Sequence, residues 1–218
     1  MTITASGDVV DTIAADGDFW VGNTGTGSLT VNGGSTKSIA AANTTTAGAE
    51  ARLWVGRTST GDGTVTVSGT GSVLEVVSGG RADAGATAQI GRGGTGSVSI
   101  SAGGTLRVAD PTGTAYDQVA GVGNEAINVG RDANGNGTLQ VNAGHVVLSG
   151  TGAVMNVGRA GGTGFARFEN GSTVDLSSTI AAGDVGLQIG RGGQGTVTVS
   201  ESAITLTSGG AAATATED

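Results

Sequence analysis

The chain has 218 residues, of which 44 are glycine, one is proline and none is cysteine, and aromatic residues make up 3%. Glycine at about three times its ordinary ~7% share, without a period of three, excludes collagen; the lack of cysteine excludes a disulfide-stapled scaffold. Ten basic against eighteen acidic residues leave a net charge of −8, which repels nucleic acid and anionic lipid, and no run approaches the ~20 apolar residues of a membrane span.

Valine, isoleucine and leucine recur at short intervals, so the chain is not a disordered Gly/Ser tract. So few aromatics cannot fill a thick globular core, and the composition predicts a thin, elongated core of small aliphatics. At the start, Met1 to Ser6 shows neither a charged n-region nor a long apolar h-region, so no secretory signal is visible. Residues 1–18 carry alternating Ile3, Val9 and Ile13 among Asp8, Asp11, Asp16 and Asp18 and are read as an N-terminal cap.

From residue 19 one pattern repeats. Val21-Gly22-Asn23, Val55-Gly56-Arg57, Ile90-Gly91-Arg92, Val129-Gly130-Arg131, Val157-Gly158-Arg159 and Ile189-Gly190-Arg191 share one motif, at glycine spacings of 34, 35, 39, 28 and 32 residues. Each copy closes a short strand such as Leu53-Trp54-Val55. A glycine-rich corner follows, as in Gly93-Gly94-Thr95-Gly96. Next comes a period-two strand: Leu29 to Val31, Val65 to Val67, Val98 to Ile100, Leu139 to Val141, Ala166 to Phe168 and Val197 to Val199. A third strand succeeds it at Val73 to Val76, Leu106 to Val108, Val146 to Leu148, Val174 to Leu176 and Ile204 to Leu206, and is weak in the first repeat around Thr36 to Ile39. Alternation places an aliphatic row inside and a Thr/Ser/charged row outside. Three short strands cannot bury an inner face alone, but repeats stacked strand on strand can. The predicted fold is all-β: a right-handed parallel β-helix (β-solenoid) of about six three-stranded coils, with residues 19–218 as a single domain open at its C-terminal end. Handedness follows from the right-handed preference of parallel crossovers.

Loops of variable length, 40–51, 77–87, 109–126, 149–153 and 177–186, emerge along one edge, where binding usually resides. The longest holds Pro111, Tyr116 and Asp117, and Tyr116 and Asp117 are its candidate binding residues.

Units such as Ile90-Gly-Arg-Gly-Gly-Thr-Gly-Ser-Val-Ser-Ile-Ser-Ala-Gly-Gly-Thr-Leu-Arg-Val108 resemble the glycine-rich strand repeats of bacterial autotransporter passenger domains and related secreted adhesins. The resemblance spans roughly residues 19–208 and implies a right-handed β-helix on or outside a bacterial cell. That family includes adhesins, matrix proteins and some enzymes.

Other motifs weigh less. Gly91-Gly93-Gly96 and Gly190-Gly192-Gly195 have dinucleotide-loop spacing, but strands follow them where a helix N-terminus is needed. Asp132, Asn134 and Asn136 open like a calcium loop, whose closing Glu would fall on Ala143; they are a weak calcium candidate against an Asx turn, and no other cofactor is expected. The column Arg57, Arg92, Arg131, Arg159 and Arg191 places like charges one coil apart, so carboxylate partners are expected, with Glu50, Asp83, Glu125 and Asp184 in the preceding loops. An arginine–carboxylate ladder bracing the corner is the expected role, and anionic-glycan binding the sharper alternative. His145 has no nucleophile motif beside it, acids occur singly and Lys37 is the only lysine, so the chain is not read as an enzyme. Thr64, Thr66, Thr196 and Thr198, with Ser97 and Ser99, form an outward hydroxyl column suited to ice or glycan, interrupted by Phe165, Arg167 and Glu169.

The reading is a non-enzymatic extracellular or cell-surface structural, adhesin-like solenoid. It self-associates end to end into filaments or matrix, with copies of itself or with further repeats, because the final coil exposes unpaired strands and residues 208–218 parallel the lead-in to a new coil. The alternative is an ice- or polysaccharide-binding module on the Thr/Ser face; a polysaccharide-active enzyme ranks third. Partners are its own ends or a cell-surface glycan, not nucleic acid, and no transmembrane segment is expected.

Overall fold

The structure, a computed structural model, describes residues 2–12, 17–40, 50–78, 85–109, 125–179 and 184–209. It is all-β. Two strands come first, β1 (Thr2–Gly7) and β2 (Val9–Thr12), and the others follow in triplets. These are β3 (Asp18–Val21), β4 (Thr26–Asn32) and β5 (Thr36–Ala40), then β6 (Ala51–Val55), β7 (Asp62–Ser68) and β8 (Val73–Val77). Next are β9 (Ala86–Ile90), β10 (Thr95–Ser101) and β11 (Thr105–Ala109), then β12 (Glu125–Val129), β13 (Asn136–Asn142) and β14 (His145–Gly150). The last are β15 (Ala153–Val157), β16 (Thr163–Glu169), β17 (Thr173–Ser178), β18 (Val185–Ile189), β19 (Gln194–Val199) and β20 (Ala203–Thr207).

The triplets stack into three sheets. Sheet I runs β2-β3-β6-β9-β12-β15-β18, sheet II β1-β4-β7-β10-β13-β16-β19 and sheet III β5-β8-β11-β14-β17-β20. All pairings between triplets are parallel, as a β-solenoid or β-helix requires. Among the described residues, no helix is long and apolar enough to cross a membrane.

Register explains the core. Val21, Val55, Ile90, Val129, Val157 and Ile189 face one another in unbroken succession along sheet I. The first five of these are fully buried. Val31, Val67, Ile100, Val141 and Phe168 do the same in sheet II, and Ile39, Val76, Val108, Leu148 and Leu176 in sheet III. Each aliphatic loses most of its water contact only because an equivalent lies above and below it, which contributes about 1.5–3 kcal/mol per fully buried side chain.

The corner motif has a steric cause. Gly130 adopts φ +69°, open to glycine at little cost, and a Cβ there would collide with the Thr163 carbonyl of the next triplet. A Cβ on Gly164, at the start of β16, would likewise collide with the Val129 carbonyl of the preceding triplet. The chain bends too close to its neighbour for any side chain.

At the N-terminal end, β1 pairs antiparallel with β4 and β2 antiparallel with β3, closing the edges of sheets II and I. The Asp8 carboxylate between them accepts hydrogen bonds from the Thr24 and Gly25 amides at 2.7 and 2.9 Å. Those bonds hold its pKa below the ordinary carboxylate value. Ile13, and the side chain of Ile3, lie outside the described residues.

Candidate functional site

The outward face of sheet I carries two parallel columns. One residue before each corner aliphatic stand Trp20, Trp54, Gln89, Asn128, Asn156 and Gln188, in register across β3 to β18. Beyond the glycine stand Asn23, Arg57, Arg92, Arg131, Arg159 and Arg191. From Trp54 and Arg57 onward the two columns line a groove of about 620 Å³, with Arg52 and the carboxylates of Asp18, Glu50 and Asp184 at its sides.

Outward strand residues are ordinarily wet, yet Gln89, Asn128 and Asn156 retain only 3%, 2% and 3% of their exposure and Trp54 6%. The Arg57 guanidinium lies 4.7 Å from the Trp20 ring and 5.6 Å from the Trp54 ring, and that of Arg92 4.7 Å from Trp54. Asn156 donates from Nδ2 to Asn128 Oδ1 at 2.9 Å. Several polar atoms of this floor have no hydrogen-bond partner: Gln89 Oε1, Asn156 Oδ1 and the indole nitrogens of Trp20 and Trp54.

Of the acids expected beside the arginine column, the side chains of Glu50 and Asp184 are described. Glu50 turns to Arg52, 2.7 Å from Nε, and Arg52 also faces Asp18 at 3.6 Å. Asp83 lies outside the described residues, as does the side chain of Glu125, while Asp184 lines the groove. Among the described residues, the carboxylate that pairs with the column is Asp132, one triplet on from Arg92, at 2.9 Å from Arg92 Nε and 3.6 Å from Arg131 Nε. Arg57 donates to Asn23 Oδ1 at 3.2 Å, and Arg191 to Gln188 Oε1 at 3.0 Å. Arg159 has no ion pair among the described residues; burial, then the charges of Arg131 and Arg191, hold its pKa below the ordinary guanidinium value. Among the described residues the corner thus combines one carboxylate, amides and indole rings.

Asp132 also bears on calcium. Its carboxylate faces two guanidinium groups, which repel a cation, and Asn134 sits at φ +72° in the turn that follows, the left-handed conformation that Asn tolerates in turns. With Asn136 opening β13, the three form a turn, and among the described residues no group of three His, Cys, Asp or Glu side chains is placed to hold a metal.

On sheet II the hydroxyls form two columns, Ser6, Ser28, Thr64, Ser97 and Thr138 beside Thr4, Thr30, Thr66 and Ser99. The Ser6 and Ser28 hydroxyls touch at 2.7 Å. Phe165 separates Thr138 from Thr196, and Gln140 with Arg167 separate Ser99 from Thr198. The four threonines therefore belong to two patches, not one. Tyr116 and Asp117 lie outside the described residues, as does Pro111.

The amide and indole floor was missed in the sequence because Trp, Gln and Asn alternate at its position, so no single residue type repeats. Its signal is positional: each member directly precedes the aliphatic of the aliphatic-Gly-Arg motif. The chain matches no protein-family model, no curated protein and no solved structure.

Proposed function

We propose that the chain is a non-enzymatic, extracellular structural module of adhesin-like kind, a right-handed solenoid of six three-stranded coils that joins a second copy of itself through the end formed by β18, β19 and β20. The observation that carries this is the exposure of Ile189, Val199 and Leu206, at 53%, 46% and 49%, the exposed large aliphatics among the described residues. Each terminates an inward row whose members from β3 to β17 are buried, one row in each sheet. Beyond β18, β19 and β20 no further strand pairs among the described residues, so backbone N–H and C=O groups are offered along three edges at once. Resemblance to autotransporter repeats supports the bacterial surface setting, and singly placed acids support a non-catalytic role.

The opposite end does not offer a matching socket, since β1 and β2 occupy two of its edges. The contact is therefore tail to tail: a two-fold axis lets the three edges of one copy pair antiparallel with those of another, as β1 and β2 pair with theirs. Such a contact closes on itself and gives a dimer of doubled length. Sedimentation velocity over a wide concentration range is the test. The chain is expected to dimerise, and the Ile189→Lys/Leu206→Lys variant to stay monomeric while folded. A native chain that is monomeric throughout, or that dimerises only once residues 210–218 are removed, would overturn the proposal.

A second reading rests on the hydroxyl columns of sheet II. Thermal hysteresis in a freezing assay, abolished by Thr66→Tyr, would favour an ice-binding face.

A further inference from the structure

We infer that the groove on sheet I binds an extended acidic polysaccharide, its carboxylates on the arginine column and its hydroxyls on the amide floor. The inference is independent of the C-terminal edge. Six arginines, Arg52, Arg57, Arg92, Arg131, Arg159 and Arg191, face three lining carboxylates in a chain whose net charge is −8. The groove thus concentrates the basic residues of an acidic molecule on one strip. Neighbouring guanidinium groups one strand spacing apart, ~4.8 Å, repel one another. Asp132 relieves Arg92 and Arg131, whereas Arg159 has no ion pair among the described residues and Arg191 has an amide for a partner. That part of the column calls for an external anion.

The floor narrows which anion. Gln89 Oε1 and Asn156 Oδ1 are acceptors, buried and unpartnered within the groove, and a buried acceptor left unsatisfied is destabilising. A bare anion has no hydrogen to give them. Trp54 Nε1 is a buried, unpartnered donor in the same groove and needs an acceptor. A ligand that satisfies all of these carries carboxylates, hydroxyl donors and hydroxyl or ring-oxygen acceptors in each repeating unit, which is the chemistry of a uronic acid. DNA offers a phosphate at each step but no hydroxyl donor within the strand. Periodicity agrees: the arginines recur once per strand along the axis, a rise comparable with one sugar of an extended polysaccharide. From Arg57 to Arg191 is four such steps, ~19 Å, enough for an oligosaccharide of about four residues.

The test is calorimetric titration of the purified chain with oligogalacturonate, with maltooligosaccharide as the uncharged arm and oligo(dT) as the nucleic-acid arm. Oligogalacturonate alone is expected to bind, more weakly as salt rises. Affinity should fall about tenfold or more in Arg159→Gln/Arg191→Gln, as the loss of charge-assisted hydrogen bonds implies. Arg107→Gln on sheet III should leave it unchanged. If the double variant fails to fold, Arg159→Lys, which keeps the charge and loses the planar fork, should still weaken binding. No binding of oligogalacturonate, equal binding of oligo(dT), or full affinity in a folded double or Lys variant would overturn the inference.

Discussion

The two ends of this stack solve the same problem in opposite ways. Any stack of parallel strands must end, and its last row of backbone groups and aliphatics has no successor. At the N-terminal end β1 and β2 reverse direction and close sheets II and I. Sheet III is left with β5 at its edge, and there Lys37 stands in the row that Leu74 continues, its amine 4.6 Å from the Phe19 ring. An inward-pointing charge on an edge strand discourages further pairing. At the C-terminal end the rows of described residues finish on Ile189, Val199 and Leu206, and among the described residues neither a reversed strand nor a charge follows in those rows. One end is finished against addition, and the other has the composition of an interior coil. The difference lies in a few residues, because every coil between them obeys the same rules.

The sharpest way to break that comparison is to place one charge in the same row at two heights. Val129→Asp buries an unpaired carboxylate between Ile90 and Val157 and is expected to unfold the chain, a loss of more than about 4 kcal/mol by thermal or urea denaturation. Ile189→Asp, in the same row at the exposed end, should cost under about 1 kcal/mol and abolish self-association. Equal effects would mean that the last coil is as enclosed as the fourth. The corner glycines give a second pair. Gly130→Ala drives a Cβ into the Thr163 carbonyl, whereas the nearest obstacle to a Cβ on Gly190 is 3.6 Å away. Gly190→Ala should therefore cost only the left-handed backbone, about 1–2 kcal/mol, and Gly130→Ala clearly more.

Arg92→Ala tests the brace between coils. It removes the contact with Asp132 and the guanidinium over Trp54, partly exposed interactions together worth about 1 kcal/mol. A fall in Tm of about 2–4 °C is expected for a chain of this size. The smallest effect concerns the finished end. The folded-state pKa of Asp8 lies below its ordinary value because the Thr24 and Gly25 amides bind the charged form. Its contribution is present above the unfolded value near 3.8 and is lost as pH falls through the lower folded value. Amide exchange at Thr24 and Gly25 should accelerate below that pH in the native chain, and at neutral pH in Asp8→Ala, with the other corners unaffected.

The stacked architecture was legible because its requirement is the same in every coil. An aliphatic before a glycine that must adopt positive φ leaves the same trace each time, and the first inward residue of the period-two strand follows it 8 to 10 residues on. What was not legible depends on neighbours remote in sequence. Asp132 braces Arg92 from 40 residues away, a partnership that register creates and that no local motif announces. The antiparallel course of β1 and β2 has the same origin, since Ile3 and Val9 alternate alike in either direction. Lys37 looked like a weakening of the third strand and is instead a charge set at the one edge that the first two strands leave uncovered. The amide floor escaped notice because its requirement is for polarity at a position rather than for one side chain.

Amide hydrogen exchange at two protein concentrations separates a joining C-terminal edge from a closed N-terminal one. Association through β18, β19 and β20 predicts that amides of residues 185–207 gain protection as concentration rises, while those of β1 and β2 exchange at unchanged rates. Protection of residues 185–207 that is independent of concentration, or a concentration-dependent gain located in β1 and β2, would contradict it.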